Sequence, residues 1–247
     1  MQKEIIIEDL TKKFEDVTAV DHLTLTVSKG ELFGLLGPNG AGKTTTINVL
    51  CGIIPPTSGK VTVGGYDIST QPRKVKSIIG VCPQDTAVYD YLTGRENIEF
   101  FGQLYNLPHE TLLRNSADLL QKMELTDHQN RRVNKYSGGM RRRINLAMAL
   151  VHNPEIAFLD EPTVAMDPQS RHAVWDFIRE LKTQQKTIIL TTHYMEEAEE
   201  LCDRVGIIDY GKLIALGSPA NLRQKHNAED LEDVFIQLTG RRIREGV

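Results

Sequence analysis

Short runs of β-branched and aliphatic residues alternate along the chain with stretches whose apolar positions recur every three or four residues. That alternation predicts an α/β fold, a mostly parallel sheet flanked by helices. The runs place strands at residues 5–8, 23–27, 32–36, 61–63, 78–81, 156–159, 187–191, 205–209 and 212–216. Ile156-Ala157-Phe158-Leu159 is apolar throughout, as a strand covered on both faces requires. The early segments set Thr and Lys between their apolar positions and read as antiparallel strands with one wet face. Between Gln84 and Pro154 the strand signals vanish. Thr93-Gly94-Arg95-Glu96 is a capping box opening a helix through Tyr105. Leu112, Leu113, Leu119 and Leu120 give helical spacing to residues 111–123, and a third helix spans 139–151. Asp167-Pro168 and Ser218-Pro219 each read as a helix cap followed by proline in the first turn.

The loop after the strand at 32–36 carries the first chemistry. Gly37-Pro38-Asn39-Gly40-Ala41-Gly42-Lys43-Thr44 matches G-x-x-x-x-G-K-[ST], with Thr45 following. Its glycines let successive backbone N–H groups turn inward onto phosphate oxygens. Lys43 is expected to reach the β- and γ-phosphates of ATP, and the Thr44 hydroxyl to ligate Mg²⁺. The helix that starts near Lys43 adds its positive dipole end. A phosphate loop of this kind needs a carboxylate at the end of a neighbouring strand to hold Mg²⁺, commonly through water. Asp160, closing the strand 156–159, supplies it. Glu161 follows and is the candidate general base for a water in line with the γ-phosphorus.

Composition narrows the class. The 29 basic and 33 acidic residues give a formal charge of -4, which argues against a dedicated nucleic-acid binder. Arg141-Arg142-Arg143 lacks interleaved aromatics for base stacking, so it reads as a solvated helix surface. Cys51, Cys82 and Cys202 show no metal-ligand spacing and read as small buried hydrophobes in a reducing compartment. No apolar run approaches the roughly 20 residues that span a bilayer. The charged start MQKEIIIEDL lacks a signal peptide's apolar region. A cytoplasmic chain is expected, reaching the inner face of the membrane through a partner.

Tyr136-Ser137-Gly138-Gly139-Met140, lying between the phosphate loop and Asp160-Glu161, is similar to the signature of ABC ATPases. The resemblance covers residues 3–220. It implies a P-loop NTPase (RecA-like) core at residues 1–84 and 153–220, with an antiparallel β subdomain. It also implies an inserted helical subdomain at 85–152 and a short C-terminal segment at 221–247. In that family Ser137, Gly138 and Gly139 would touch the γ-phosphate of ATP on a second subunit. Gln84 matches the glutamine that approaches Mg²⁺ and the attacking water. His193 matches the switch histidine on the γ-phosphate, and Asp167 the aspartate at the dimer seam, where it also serves as a helix cap. Phe14 sits where an aromatic ring stacks on adenine; a core phenylalanine is the other reading. The family implies a separate transmembrane permease and a second nucleotide-binding subunit, a homodimer or a heterodimer. Met140 replaces a common glutamine, and Ala165 a glycine that often precedes the aspartate at the seam. The signature with its arginines, and Leu231-Glu232-Asp233-Val234-Phe235 through Thr239-Gly240-Arg241, resemble the drug- and antibiotic-exporter branch that includes daunorubicin-resistance-type ATPases. A soluble ABC ATPase acting on DNA or ribosomes is the alternative; the chain has no second cassette, heptad insert or paired Cys-x-x-Cys to support it.

Overall fold

The computed structural model describes residues 2–240; Met1 and residues 241–247, with the Arg241 of the C-terminal resemblance, lie outside the described residues. The elements run β1 (Lys3–Phe14), β2 (Val17–Ser28), β3 (Leu32–Leu36), α1 (Lys43–Leu50), β4 (Ser58–Val63), β5 (Tyr66–Asp67), α2 (Pro72–Ile78) and β6 (Ile79–Cys82). Three helices follow without a strand: α3 (Gly94–Leu104), α4 (His109–Lys122) and α5 (Gly138–Leu150). The alternation then resumes with β7 (Ile156–Asp160), α6 (Pro168–Thr183), β8 (Thr187–Thr192), α7 (Met195–Leu201), β9 (Arg204–Asp209), β10 (Lys212–Gly217), α8 (Pro219–His226) and α9 (Leu231–Thr239).

Two sheets form, ordered β2-β1-β4-β5 and β10-β9-β3-β8-β7-β6. The first is antiparallel. In the second, β9, β3, β8, β7 and β6 run parallel, and β10 turns back along β9. Strands β3, β7 and β8 are buried along their whole length. Their side chains alternate between two cores: Ile188, Leu190 and Leu159 join the core built with α3–α9, while Ile189, Phe158 and Phe33 pack with α1 and the small sheet. Burying a side chain of that size contributes about 1.5–3 kcal/mol, so uninterrupted apolar runs are what a sheet covered on both faces demands.

The first strands run further than the apolar pattern suggested. Asp9 and His22 adopt left-handed backbone, at φ 53 and 51, and the β1–β2 register shifts around them. Such bulges break the period-two pattern. The two bulged residues meet, with His22 Nδ1 2.6 Å from Asp9 Oδ1. β5, α2, α7 and α9 have no counterpart among the predicted elements. β5 is two residues long, and α2 buries only Val75 among its seven.

Helix ends follow their caps. Thr93 Oγ1 accepts from Glu96 N at 3.2 Å, and Glu96 Oε2 accepts from Thr93 N at 2.7 Å, closing the box that starts α3. Ser137, Asp167 and Ser218 cap α5, α6 and α8 through their side-chain oxygens. The three cysteines are free and buried. Thr93→Ala is expected to lower the unfolding free energy by about 1 kcal/mol, read from the midpoint of urea denaturation; an unchanged midpoint would show that the box holds nothing.

Candidate active site

The carboxyl ends of β3, β7 and β8 converge on one spot. From β3 the chain enters the 37–42 loop, whose shape depends on glycine. Gly42 has φ 103, and a Cβ there would stand 2.3 Å from Ala19 O; one at Gly37 would stand 2.2 Å from Ile208 O. The loop therefore lies against β2 and β9 closer than any side chain permits. Lys43 folds back over it, donating to Gly37 O at 2.8 Å and Pro38 O at 3.2 Å. Gly42 gives α1 no side-chain cap, so the first-turn N–H groups face outward with the positive end of the helix dipole. Ala19, Asn39, Gly40, Gly42, Lys43, Thr44, Thr45, Gln84 and Glu161 line a cavity of about 210 Å³ there.

Glu161 is the hub of the site. It is 4 % exposed. Its Oε1 lies 3.3 Å from Lys43 Nζ, and its Oε2 accepts from Gln84 Nε2 at 3.3 Å. His193 Nδ1, also buried, is 3.2 Å from the same Oε2 without the alignment of a hydrogen bond. Burial pushes the Glu161 carboxyl up, but His193 and Lys43 together outweigh it and hold the group below the ordinary carboxylate range. Burial also lowers Lys43, against the opposing pull of Glu161 and Asp160. The backbone of Glu161 is left-handed at φ 49, a conformation costing about 1–2 kcal/mol for a residue with a Cβ. Thr191 helps to secure it, since Glu161 N donates to Thr191 O at 3.1 Å and to Thr191 Oγ1 at 3.0 Å. The same hydroxyl donates to Asp160 Oδ1, orienting a carboxylate that is 2 % exposed.

Not every expected site residue joins this cluster. Ser137 and Gly138 stand exposed at the start of α5, Asp167 is exposed at the start of α6, and none of them lines the cavity. Phe14 is 46 % exposed, so it is not a core residue; Lys12 Nζ sits 4.8 Å from its ring, and it too lies outside the lining. Ala165 has φ 58, the conformation a glycine would take freely. Met140 packs against the helical core. One expectation fails: the arginine run is not a solvated surface, because Arg142 is 4 % exposed and donates to main-chain carbonyls beside Gln84 and Glu161. A run of three arginines reads as solvated because sequence does not say which of them points inward. Thr191 went unnoticed as well, although a polar pair closing the apolar strand Thr187-Ile188-Ile189-Leu190 was a visible signal.

The ABC transporter family profile matches residues 20–164. The chain belongs to the ABC transporter family. It is 44% identical to the linearmycin resistance ATP-binding protein of Bacillus subtilis (strain 168), across 96% of this chain and 75% of that one. It is 42% identical to a daunorubicin resistance ATP-binding protein of Streptomyces coeruleorubidus, across 93% of this chain and 71% of that one. Among solved structures it superposes on a dimeric ATP-binding cassette in a post-hydrolysis state with ADP and Pi, with a TM-score of 0.79 and 25% identity over 87% of this chain and 98% of that one. The cassette described above is thus an ATP-binding and ATP-hydrolysing subunit of an ABC transporter. Among the described residues no helix is long and apolar enough to cross a membrane.

The pairing of Glu161 has a pH signature. Its folded pKa lies below the ordinary 4.5, so the stability it contributes is present above that value and lost as pH falls through the folded one. Glu161→Gln is expected to lower the stability of the nucleotide-free cassette by about 1–2 kcal/mol at about pH 7. The deficit should shrink as acid protonates the wild-type carboxyl; urea unfolding over a pH series that gave a constant deficit would contradict the pairing.

Proposed function

We propose that this cassette powers an exporter of drug-like or antibiotic-like compounds, working as a pair of identical subunits on a separate membrane-spanning permease at the inner face of the membrane. The observation that carries the catalytic part is the Glu161 carboxylate, ringed by Lys43, Gln84 and His193 at the mouth of the phosphate-loop cavity. The resistance proteins it resembles support the export reading.

Lys43, the main chain of Gly37, Pro38, Asn39, Gly40, Ala41 and Gly42, and the outward N–H groups of α1 bind the ATP phosphates. The buried cation, the uncapped helix and a loop that admits no Cβ at Gly37 or Gly42 all suit a polyanion. Thr44, Gln84 and Asp160, with Thr45 beside them, offer oxygen donors of the kind a hard cation takes, and they would hold Mg²⁺. That ion would neutralise charge developing on the phosphates. Glu161 accepts a proton from water as its oxygen attacks the γ-phosphorus, and ADP leaves. His193 steadies the γ-phosphate, and Phe14 presents its exposed ring to the adenine. Ser137, Gly138 and Gly139 close on the nucleotide of the partner subunit, with Asp167 at the seam. Residues 85–152 form the helical subdomain that, with Gln84, receives the permease, and residues 1–84 and 153–220 form the core.

Glu161→Gln should leave ATP binding intact and slow phosphate release by about 10²–10⁴-fold, while Lys43→Ala should abolish binding. Wild-type turnover in Glu161→Gln would remove it as the base. Affinity purification of the tagged chain from its own cells in mild detergent should recover a multispanning membrane protein. Ribosomes or DNA-bound proteins without one would overturn the transporter reading and leave the ATPase standing.

A further inference from the structure

The signature helix α5 sends one side chain back to the catalytic edge of its own sheet. Arg142 lies on the second turn after Ser137, and its guanidinium is buried. A guanidinium has five N–H donors in a fixed plane. Here each finds a main-chain carbonyl. Nε donates to Pro162 O at 3.1 Å, Nη1 to Pro83 O at 3.0 Å and to Gln84 O, and Nη2 to Asp160 O at 2.7 Å and to Glu161 O.

The placement of those carbonyls matters more than their number. Asp160 O and Glu161 O belong to the peptide units on either side of the Glu161 Cα. With Thr191 holding the Glu161 N–H, both peptide planes are fixed from outside. That fixes the left-handed φ of 49, which the residue would not keep by itself. Pro83 O and Gln84 O fix the segment whose side chain reaches Glu161 Oε2. One side chain thus holds the backbones of two residues that must meet within hydrogen-bond distance.

We infer that Arg142 is a positioning residue for ATP hydrolysis, setting the aim of Glu161 and Gln84 from the helix that also carries Ser137. The inference rests on the reading of Glu161 as the base. Because Arg142 sits five residues from Ser137 on one rigid helix, any movement of α5 when Ser137 engages the partner's nucleotide passes to Glu161 of its own subunit.

The test compares Arg142→Lys, Arg142→Ala, Glu161→Gln and the Arg142→Ala/Glu161→Gln double variant of the full-length chain. ATPase kinetics and equilibrium binding of a fluorescent ATP analogue are measured for each. Lysine keeps the charge but offers three donors without a plane, so Arg142→Lys and Arg142→Ala should both cut kcat by about 10- to 100-fold. KM and analogue affinity should stay within about 3-fold, because the phosphate loop is untouched. In the double variant the Arg142 loss should shrink, since there is no carboxylate left to aim and only Gln84 remains to be positioned. If Arg142→Ala fails to fold, Arg142→Lys decides. An unchanged kcat, affinity falling in step with kcat, or losses that multiply in the double variant would overturn the inference. Wild-type turnover by Glu161→Gln would instead overturn the base assignment beneath it, and is read independently of the Arg142 variants.

Discussion

A carboxylate taken out of water must be paired, and the pairing of Glu161 organises the rest of this cassette. Its three partners come from distant parts of the chain: Lys43 after β3, Gln84 after β6 and His193 after β8. They can meet because β6, β7, β8 and β3 are consecutive neighbours in one parallel sheet, so their carboxyl ends lie along one edge. The apolar strands that make the sheet insoluble on both faces are what force the helices onto it, and the helices bring the loops to that edge. Fold and site are therefore one problem: a slip in strand order would separate the partners and strand a buried charge.

Much of this was legible beforehand because each signal was local. The phosphate loop, the Thr93 box, the caps at Asp167 and Ser218, and the carboxylate pair ending an apolar strand are each read within a few residues. What escaped depends on pairing or direction. Asp9 and His22 bulge because two strands meet there, and neither position is marked by a glycine. α2 buries one side chain and so leaves no periodic trace. Arg142 looks like its neighbours, yet Arg141 reaches Asp90 and Arg143 reaches Met123 O and Glu124 while Arg142 enters the core. The helical phase of α5 decides that, and three arginines in a row conceal the phase.

The two ends of the proposed cycle sit on different surfaces. The phosphate cavity gathers Lys43, Thr44, Gln84 and Glu161, whereas Ser137 and Gly138 stand exposed outside its lining. On the proposed reading a second copy completes the site by presenting its signature; an ATP-binding cassette to which this chain is similar is dimeric in its post-hydrolysis state. Arg142 gives a physical route by which that event reaches the catalytic backbone. Ala165, held at φ 58 two residues before Asp167, keeps strain in the segment that leads into α6.

The most direct test of the account is a structure of the Glu161→Gln variant with Mg-ATP. The account predicts two copies enclosing two nucleotides, each γ-phosphate between Lys43 and His193 of one copy and Ser137 of the other. Nucleotide bound away from the 37–44 loop, or enclosed without Ser137 of a second copy, would contradict it.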